Sequence, residues 1–341
     1  MSESLKKVTV TIMDVAKHAG VSFSTVSRVV NNYQFIKPAT REKVQQSMDE
    51  LGYVANLKAR SLAGGRSNVI GLLVFDLENS YFTEVVRGID AEVSALNYDM
   101  MISTTHQRRE REKTYIGQLA SGMVDGLIIM LPQEIESWLA QLQQRNVPYV
   151  LIDHESGSGQ GHIIRTANRR GAIAATNHLL DLGHTKIGLI TGTPSVQSGR
   201  ERIEGFRQAL AERVISADES LIQQGDFDEK SGRACGLKLL QMADRPTAIF
   251  ALNDAMALGV YEAAESLGLS IPEDLSVMGF DDIPEAKYIR PQLTTVRQPQ
   301  REIGRTATRL LVDLIENPGR ELETITLETE LIVRKSTAPV S

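Results

Sequence analysis

The chain has 341 residues, 37 Lys and Arg against 43 Asp and Glu, a formal net charge of −6 and a single cysteine. One cysteine excludes an intrachain disulfide and points to a reducing compartment, with Cys235 read as core packing in a helical stretch. A polar N-terminus and the absence of any apolar run near the roughly 20 residues of a membrane span exclude a signal sequence and a membrane partner, so the expected localisation is cytoplasmic. The charge is uneven: residues 1–66 hold ten Lys and Arg against five Asp and Glu, and the remainder 27 against 38. A basic head on an acidic body suits a head that neutralises phosphates and a body that DNA repels.

In chain order, Thr11 to Asn31 reads as helix, turn, helix. Thr11 caps the first helix and Asp14 supplies an acid at its positive end, while Ile12, Val15 and Ala16 share a face. Gly20 in Ala19-Gly20-Val21 permits a left-handed stop, and Ser22 caps a second helix whose Val26, Val29 and Val30 face inward. That leaves Phe23, Ser24, Thr25, Ser27 and Arg28 outward, residue types that suit base edges and phosphates in a major groove. With Thr11, Ser22 and Asn31 these are the candidate DNA contacts. A third helix runs from Pro38 to Leu51 and stops at Gly52. A short helix capped by Asn56 follows, carrying Lys58, Ala59 and Leu62 and ending at Gly64-Gly65.

Beyond residue 68, short apolar runs alternate with amphipathic ones, the pattern of parallel sheets covered by helices on both faces. Strands are expected at 69–74, 99–103, 126–130, 149–152 and 162–165, with helices at 82–96, 109–121 and 134–145 between the first four. The second half repeats the pattern: helices at 169–182, 198–211, 229–242 and 254–267, and strands at 187–191, 221–224, 248–251 and 276–280. A final helix, 299–316, leads into an extended segment, 324–333. The expected division is a helix-turn-helix head at 9–55, a hinge at 56–67 and a two-lobed α/β body at 68–337. One lobe takes 68–166 and 298–327, the other 167–297 and 328–337.

Open α/β sheets bind ligands beyond the carboxyl ends of their strands. There this chain carries Asp76, Tyr81, Phe82 and Asp153 in its first half. Its second half adds Ser198, Arg202, Phe227, Asn253, Asp281 and Gln298, while Asn79, Thr104, His106, His154, Asp254 and Asp282 also follow strand ends. Carboxylates and amides bind hydroxyls, Arg202 holds a ring oxygen or an anionic group, and Phe82 or Phe227 stacks on an apolar sugar face, so the set suits a polyhydroxylated effector. A plainer reading makes the acids helix caps and the two phenylalanines core. No Walker loop, nucleotide-binding glycine motif, nucleophile elbow or metal-spaced Cys/His cluster is present, so neither an enzyme nor a metal or other cofactor is expected.

The order of helix-turn-helix, third helix and Asn56-x-x-Ala59-Arg60-Ser61-Leu62, followed by Val69-Ile70-Gly71-Leu72-Leu73-Val74, resembles the lactose-repressor/galactose-repressor (LacI/GalR) family of bacterial transcription regulators over nearly all of residues 9–337. The resemblance implies a periplasmic-binding-protein-like clamshell whose chain crosses between lobes three times, and a homodimer on a palindromic operator. It implies recognition helices in major grooves, with Leu62 as a wedge in the central minor groove and Ala59 as a close contact there. It also implies a small-molecule effector, a sugar or sugar derivative, in the cleft, contacted by Arg202, Asn253 and Asp281. A catabolite-control branch of the family instead takes a phosphorylated carrier protein on the body surface, and that is the alternative. Two departures stand out: Ala55 where many members have Pro, and Asn79-Ser80-Tyr81-Phe82 in place of Asn-Pro-Phe-Phe.

Overall fold

A computed structural model of the chain describes residues 10–30, 33, 35–53, 66–105, 108–132, 135–154 and 161–340. The expected hinge helix with Asn56, Ala59 and Leu62, together with Asn31 and His106, lies outside them. Two compact units result, residues 1–68 with 121–125, and the remainder.

In the first unit, α1 (Ile12–His18), α2 (Phe23–Val30) and α3 (Pro38–Leu51) enclose Val15, Ala16, Ala19, Val26, Val29 and Val44. Thr11 and Asp14 form a reciprocal capping box at the start of α1, satisfying two backbone groups that the helix leaves open. Gly20 turns the chain at φ 58° and Gly52 stops α3 at φ 64°, both left-handed conformations that cost glycine nothing.

In the second unit β1 (Val69–Val74), β2 (Asp99–Thr104), β3 (Gly126–Met130), β4 (Tyr149–Ile152), β5 (His162–Thr166) and β11 (Thr324–Leu327) form one sheet, in the order β11-β5-β4-β3-β1-β2. A second sheet, ordered β12-β10-β9-β8-β6-β7, takes β6 (Ile187–Thr191), β7 (Ile222–Gln224), β8 (Ala248–Ala251), β9 (Ser276–Asp281), β10 (Thr294–Arg297) and β12 (Glu330–Ile332). The chain passes from the first sheet to the second after β5, returns for β11 and leaves again for β12, three crossings in all. Helices fill the connections: α4 (Ser80–Ala95), α5 (Arg109–Leu119) and α6 (Ile135–Gln144) in the first lobe, and α7 (Asn168–Asp181), α8 (Gln197–Glu212), α9 (Glu229–Leu240) and α10 (Asp254–Ser266) in the second. The last, α11 (Gln300–Glu316), returns to the first lobe and buries Ile303, Ala307, Leu310, Leu311 and Leu314, an i, i+4, i+7, i+8, i+11 stripe.

Two features depart from the expected elements. The sequence reading has no strand at Thr294–Arg297, yet β10 pairs parallel with β9 and antiparallel with β12. The segment read as one extended run, 324–333, is two strands in different sheets.

Helices α4 and α11 touch backbone to backbone. A Cβ on Gly88 would lie 2.1 Å from the Arg301 carbonyl oxygen, and one on Gly304 2.3 Å from that of Val85. Replacing Gly304 with Val therefore forces the helices apart. We expect Gly304→Val to lower unfolding stability by about 1–3 kcal/mol or more, the scale of overpacked cores, read as a shift of the chemical-denaturation midpoint.

Candidate functional site

On the head, the hydroxyls singled out in the sequence are tied together at the start of α2. The Ser22 hydroxyl accepts the Thr25 amide at 3.2 Å and lies 2.8 Å from Ser24 Oγ and 2.9 Å from Thr25 Oγ1. Phe23 and Arg28 are exposed. The Arg28 guanidinium stands 5.6 Å above the centre of the Tyr33 ring, whose edge meets Phe35, and Arg41 Nη2 donates to the Tyr33 carbonyl at 2.7 Å. An exposed cation–π contact of this kind is worth about 0.5–1 kcal/mol. Sequence reading did not single out Tyr33 or Phe35, although Phe35, 85% exposed beside Lys37 and Arg41, is an aromatic that no core needs. Thr11 is spent on its capping box, and its hydrogen bonds hold the Asp14 carboxyl below its usual range.

Within the body a cavity of about 570 Å³ opens beyond the carboxyl ends of both sheets. Nine of the ten expected effector contacts stand on its wall, from Asp76, Tyr81, Phe82 and Asp153 in the first lobe to Ser198, Arg202, Phe227, Asn253 and Asp281 in the second. Gln298 is instead behind the wall, buried, donating to Asp281 Oδ1 at 2.6 Å and accepting from the Thr166 hydroxyl at 2.6 Å. It meets the wall at Asp281. Among the described residues that follow strands, Thr104, His154, Asp254 and Asp282 are absent from the wall. Asp282 turns away to pair with Arg297 and Arg334.

Asp153 follows β4 at φ 54°, and its Oδ2 accepts the Tyr81 hydroxyl at 2.7 Å. Its other oxygen is buried and has no hydrogen-bond partner among the described residues. An unsatisfied buried acceptor costs about 1–3 kcal/mol, which a donating ligand recovers. Burial raises the Asp153 carboxyl above its ordinary value, against the lowering effects of Tyr81 and Arg202. Arg202 lies flat on the Phe280 ring at 3.8 Å, donating from Nε to Asn168 Oδ1 at 2.9 Å and from Nη1 to the Leu252 carbonyl at 2.5 Å. Its Nη1 is also 3.5 Å from Asp281 Oδ1, an ion pair buried on both sides.

Phe227 adopts φ 61°, and its ring occupies the space a side chain on Gly192 or Gly199 would need. Its carbonyl accepts the Asn253 amide at 2.9 Å from its own lobe and the Asn79 amide at 3.4 Å from the other. Each asparagine also caps a helix with its side-chain oxygen, Asn79 to Tyr81 N and Asn253 to Met256 N, both at 2.9 Å. A second interlobe bond runs from the Ser80 hydroxyl to Glu285 at 2.6 Å. The sequence reading missed the rim, where Glu78, Asp226, Asp228, Glu229 and Lys230 stand exposed; loop charges look like ordinary solvated surface until the fold faces them across a cleft.

A helix-turn-helix head and a two-lobed body with a polar cleft between its sheets together define a ligand-responsive DNA-binding regulator. Residues 11–56 match the lacI family of bacterial regulatory proteins, and residues 176–337 match the periplasmic binding protein-like domain. The chain is 37% identical over 327 residues to the HTH-type transcriptional repressor PurR of Aliivibrio salmonicida, covering 96% of this chain and 98% of that one. It is 38% identical over 331 residues to PurR of Proteus mirabilis, covering 96% and 97%. Among solved structures, the lac repressor dimer bound to operator and the anti-inducer ONPF superimposes with a TM-score of 0.82 at 32% identity, over 96% of this chain and 99% of that one. The CelR–cellobiose complex gives 0.72 at 33% over 96% and 99%, and an Enterococcus faecium LacI-family regulator with bound ribose gives 0.74 at 34% over 80% and 100%. The chain belongs to the LacI family and is a DNA-binding transcriptional repressor, not an enzyme. Among the described residues no helix is long and apolar enough to cross a membrane.

Behind the cleft wall Asp254 is fully buried, accepting from the Thr295 hydroxyl at 2.6 Å and the Ile283 amide at 2.9 Å. Burial, then the neighbouring Asp281, pushes its carboxyl up from 3.8 to about 8, and burial pushes Asp281 up to about 7. Native carboxyls above their unfolded values hold protons that the unfolded chain has released, so their stabilisation is complete below about pH 4 and is lost as pH rises through about 8. We expect the melting temperature to fall between pH 6 and 9 in the wild type and to fall less steeply in Asp254→Asn, as differential scanning calorimetry across that range will show.

Proposed function

We propose that the protein is a carbohydrate-responsive repressor that works in the cytoplasm on operator DNA, as a homodimer. The proposed division is a DNA-binding head at 9–55, a hinge at 56–67 and an effector-binding, dimerising body at 68–337. The observation that carries the effector class is buried Asp153, whose Oδ1 lacks a partner among the described residues, on the wall of a cavity that also presents the Arg202–Asp281 pair and Phe227. A carboxylate oxygen in want of a donor, a second carboxylate, amides and an apolar ring face match the alternating hydroxyls and flat C–H face of a sugar. The cellobiose and ribose held by the two neighbours support the same class. Closure of the lobes on the ligand changes hinge spacing and so couples effector to operator, typically by about 1–3 kcal/mol.

The DNA side of the proposal takes Ser22, Phe23, Ser24, Thr25, Ser27 and Arg28 as groove and phosphate contacts, with Thr11 and Asn31 flanking them. Asn56, Ala59 and Leu62 then act in the central minor groove. The operator-bound lac repressor dimer supports this geometry. The phosphocarrier alternative needs cations ready to receive a phosphoryl group on the body surface. Along α11, Arg301 pairs with Glu84 at 2.8 Å, Arg309 with Glu92 at 2.8 Å, and Arg305 with Glu302 at 3.8 Å. These are pairs with solvent-accessible arginine side chains that cost little to open, so the preference for the cleft rests on its wall.

A thermal-shift screen of the protein against sugars, sugar acids, sugar phosphates and nucleosides tests the effector class, since a ligand at a hundred times its Kd adds about 2.7 kcal/mol of stability. Removing a buried charged partner costs a ligand several kcal/mol. Arg202→Ala and Asp281→Asn should therefore abolish the effector response in DNA-binding assays while operator binding without effector persists. A full response in both variants would overturn the cleft assignment. If Leu62 is the minor-groove wedge, Leu62→Ala should weaken operator binding by a few kcal/mol in the same assay, with effector affinity retained.

A further inference from the structure

The cleft wall carries more negative charge than any one ligand contact requires, and its arginine is already engaged. Inside, Asp153 and Asp281 stand against Arg202; at the rim, half-buried Asp76 and exposed Glu78 of the first lobe face exposed Asp226, Asp228 and Glu229 of the second, with Lys230 the one cation there among the described residues. Arg202 is already charge-balanced: Asp281 lies 3.5 Å from its Nη1, Asn168 accepts from its Nε and Leu252 from its Nη1, and Phe280 covers the guanidinium, so an incoming anion meets no net positive charge there. Asp153, more than nine-tenths buried, stands on the wall of the same cavity, and its Oδ1 lacks a donor among the described residues. A hydroxyl satisfies that oxygen; a phosphate or carboxylate oxygen brought beside it adds a like charge in a desolvated place.

We infer that the cleft selects an uncharged polyol and rejects the phosphorylated and carboxylated forms of the same sugar. This rests on the carbohydrate reading above and narrows it. The discrimination has two parts that differ in range. The Asp153 part is local and insensitive to salt, whereas the rim part acts through solvent over distances near the Debye length of about 8 Å at 0.15 M ionic strength and weakens as salt is added.

The test is isothermal titration of the full-length protein with matched pairs: ribose and ribose 5-phosphate, glucose and glucose 6-phosphate, glucose and gluconate, and cellobiose and cellobionate. The expected result is that the uncharged member of the binding pair is favoured at least tenfold over its anion at low salt. The ratio should narrow by threefold or more in 0.5 M NaCl, and likewise in the rim double variant Glu78→Gln/Glu229→Gln, whose folding is verified by its melting temperature. Anions that bind as tightly as their uncharged parents, or more tightly, overturn the inference and leave the carbohydrate reading standing. A preference unmoved by salt and by the double variant shows that the rim contributes nothing and overturns the two-part inference. No binding by any sugar, charged or uncharged, removes the carbohydrate reading and the inference together.

Discussion

The cleft depends on a bend at the end of β9. Asp281 and Asp282 turn at φ 126° and 58°, a backbone region that costs non-glycine residues about 1–3 kcal/mol each and persists only where the surroundings over-determine it. Here they do. Asp254 accepts the Ile283 amide just beyond the bend, Gln298 N and Gln300 Nε2 donate to the Asp281 carbonyl at 3.1 and 2.6 Å, and Arg297 and Arg334 hold the Asp282 carboxylate. Gly279 has no side chain because the Asp254 carboxylate occupies the place, only 2.1 Å from where a Cβ would lie. One bend thus sends adjacent carboxylates in opposite directions, Asp281 to the cavity and Asp282 to the arginines behind it.

The same bend ties the cavity to the segments that join the lobes. Gln298, on the second crossing, donates to Asp281 and accepts from Thr166, where the first crossing begins, and Thr329 on the third crossing reaches the Ala167 carbonyl at 3.5 Å. A ligand that draws on Asp281 therefore pulls on a hydrogen-bonded chain already anchored in the connections between lobes. This contiguity is a physical route for coupling, and Gln298 belongs to it without standing on the cavity wall.

The alternation of apolar runs and amphipathic helices made both sheets readable, since a strand covered on both faces shows as an unbroken run such as Val69-Ile70-Gly71-Leu72-Leu73-Val74. Strand β10 was not readable for the opposite reason. Thr294 and Thr295 are fully buried, yet they are polar, and what makes them acceptable inside is the partners that only the fold supplies, Ser336 and Thr337 for one and Asp254 for the other. The division of 324–333 was hidden because two short strands with few intervening residues look like one in sequence, and only pairing assigns them to different sheets. At the site, residues following strands were found by position alone. Asn79 was visible as a helix cap, but its second role needed the opposite lobe, and the rim acids carry no periodic or spacing signal at all.

The Phe227 carbonyl has two lone pairs and receives one amide from each lobe, the Asn253 bond at 2.9 Å and the Asn79 bond at 3.4 Å. If the lobes part, water replaces Asn79 on the oxygen and Phe227 on the amide, so the net gain from this contact is no more than about 0.5–1.5 kcal/mol. A contact of that size fixes which of many closed arrangements forms without deciding whether closure occurs. Both asparagines spend their side-chain oxygens on caps within their own lobes, bonds that parting of the lobes does not require to break. The junction is a gauge of alignment between the lobes, weak enough to be reversible at thermal energies.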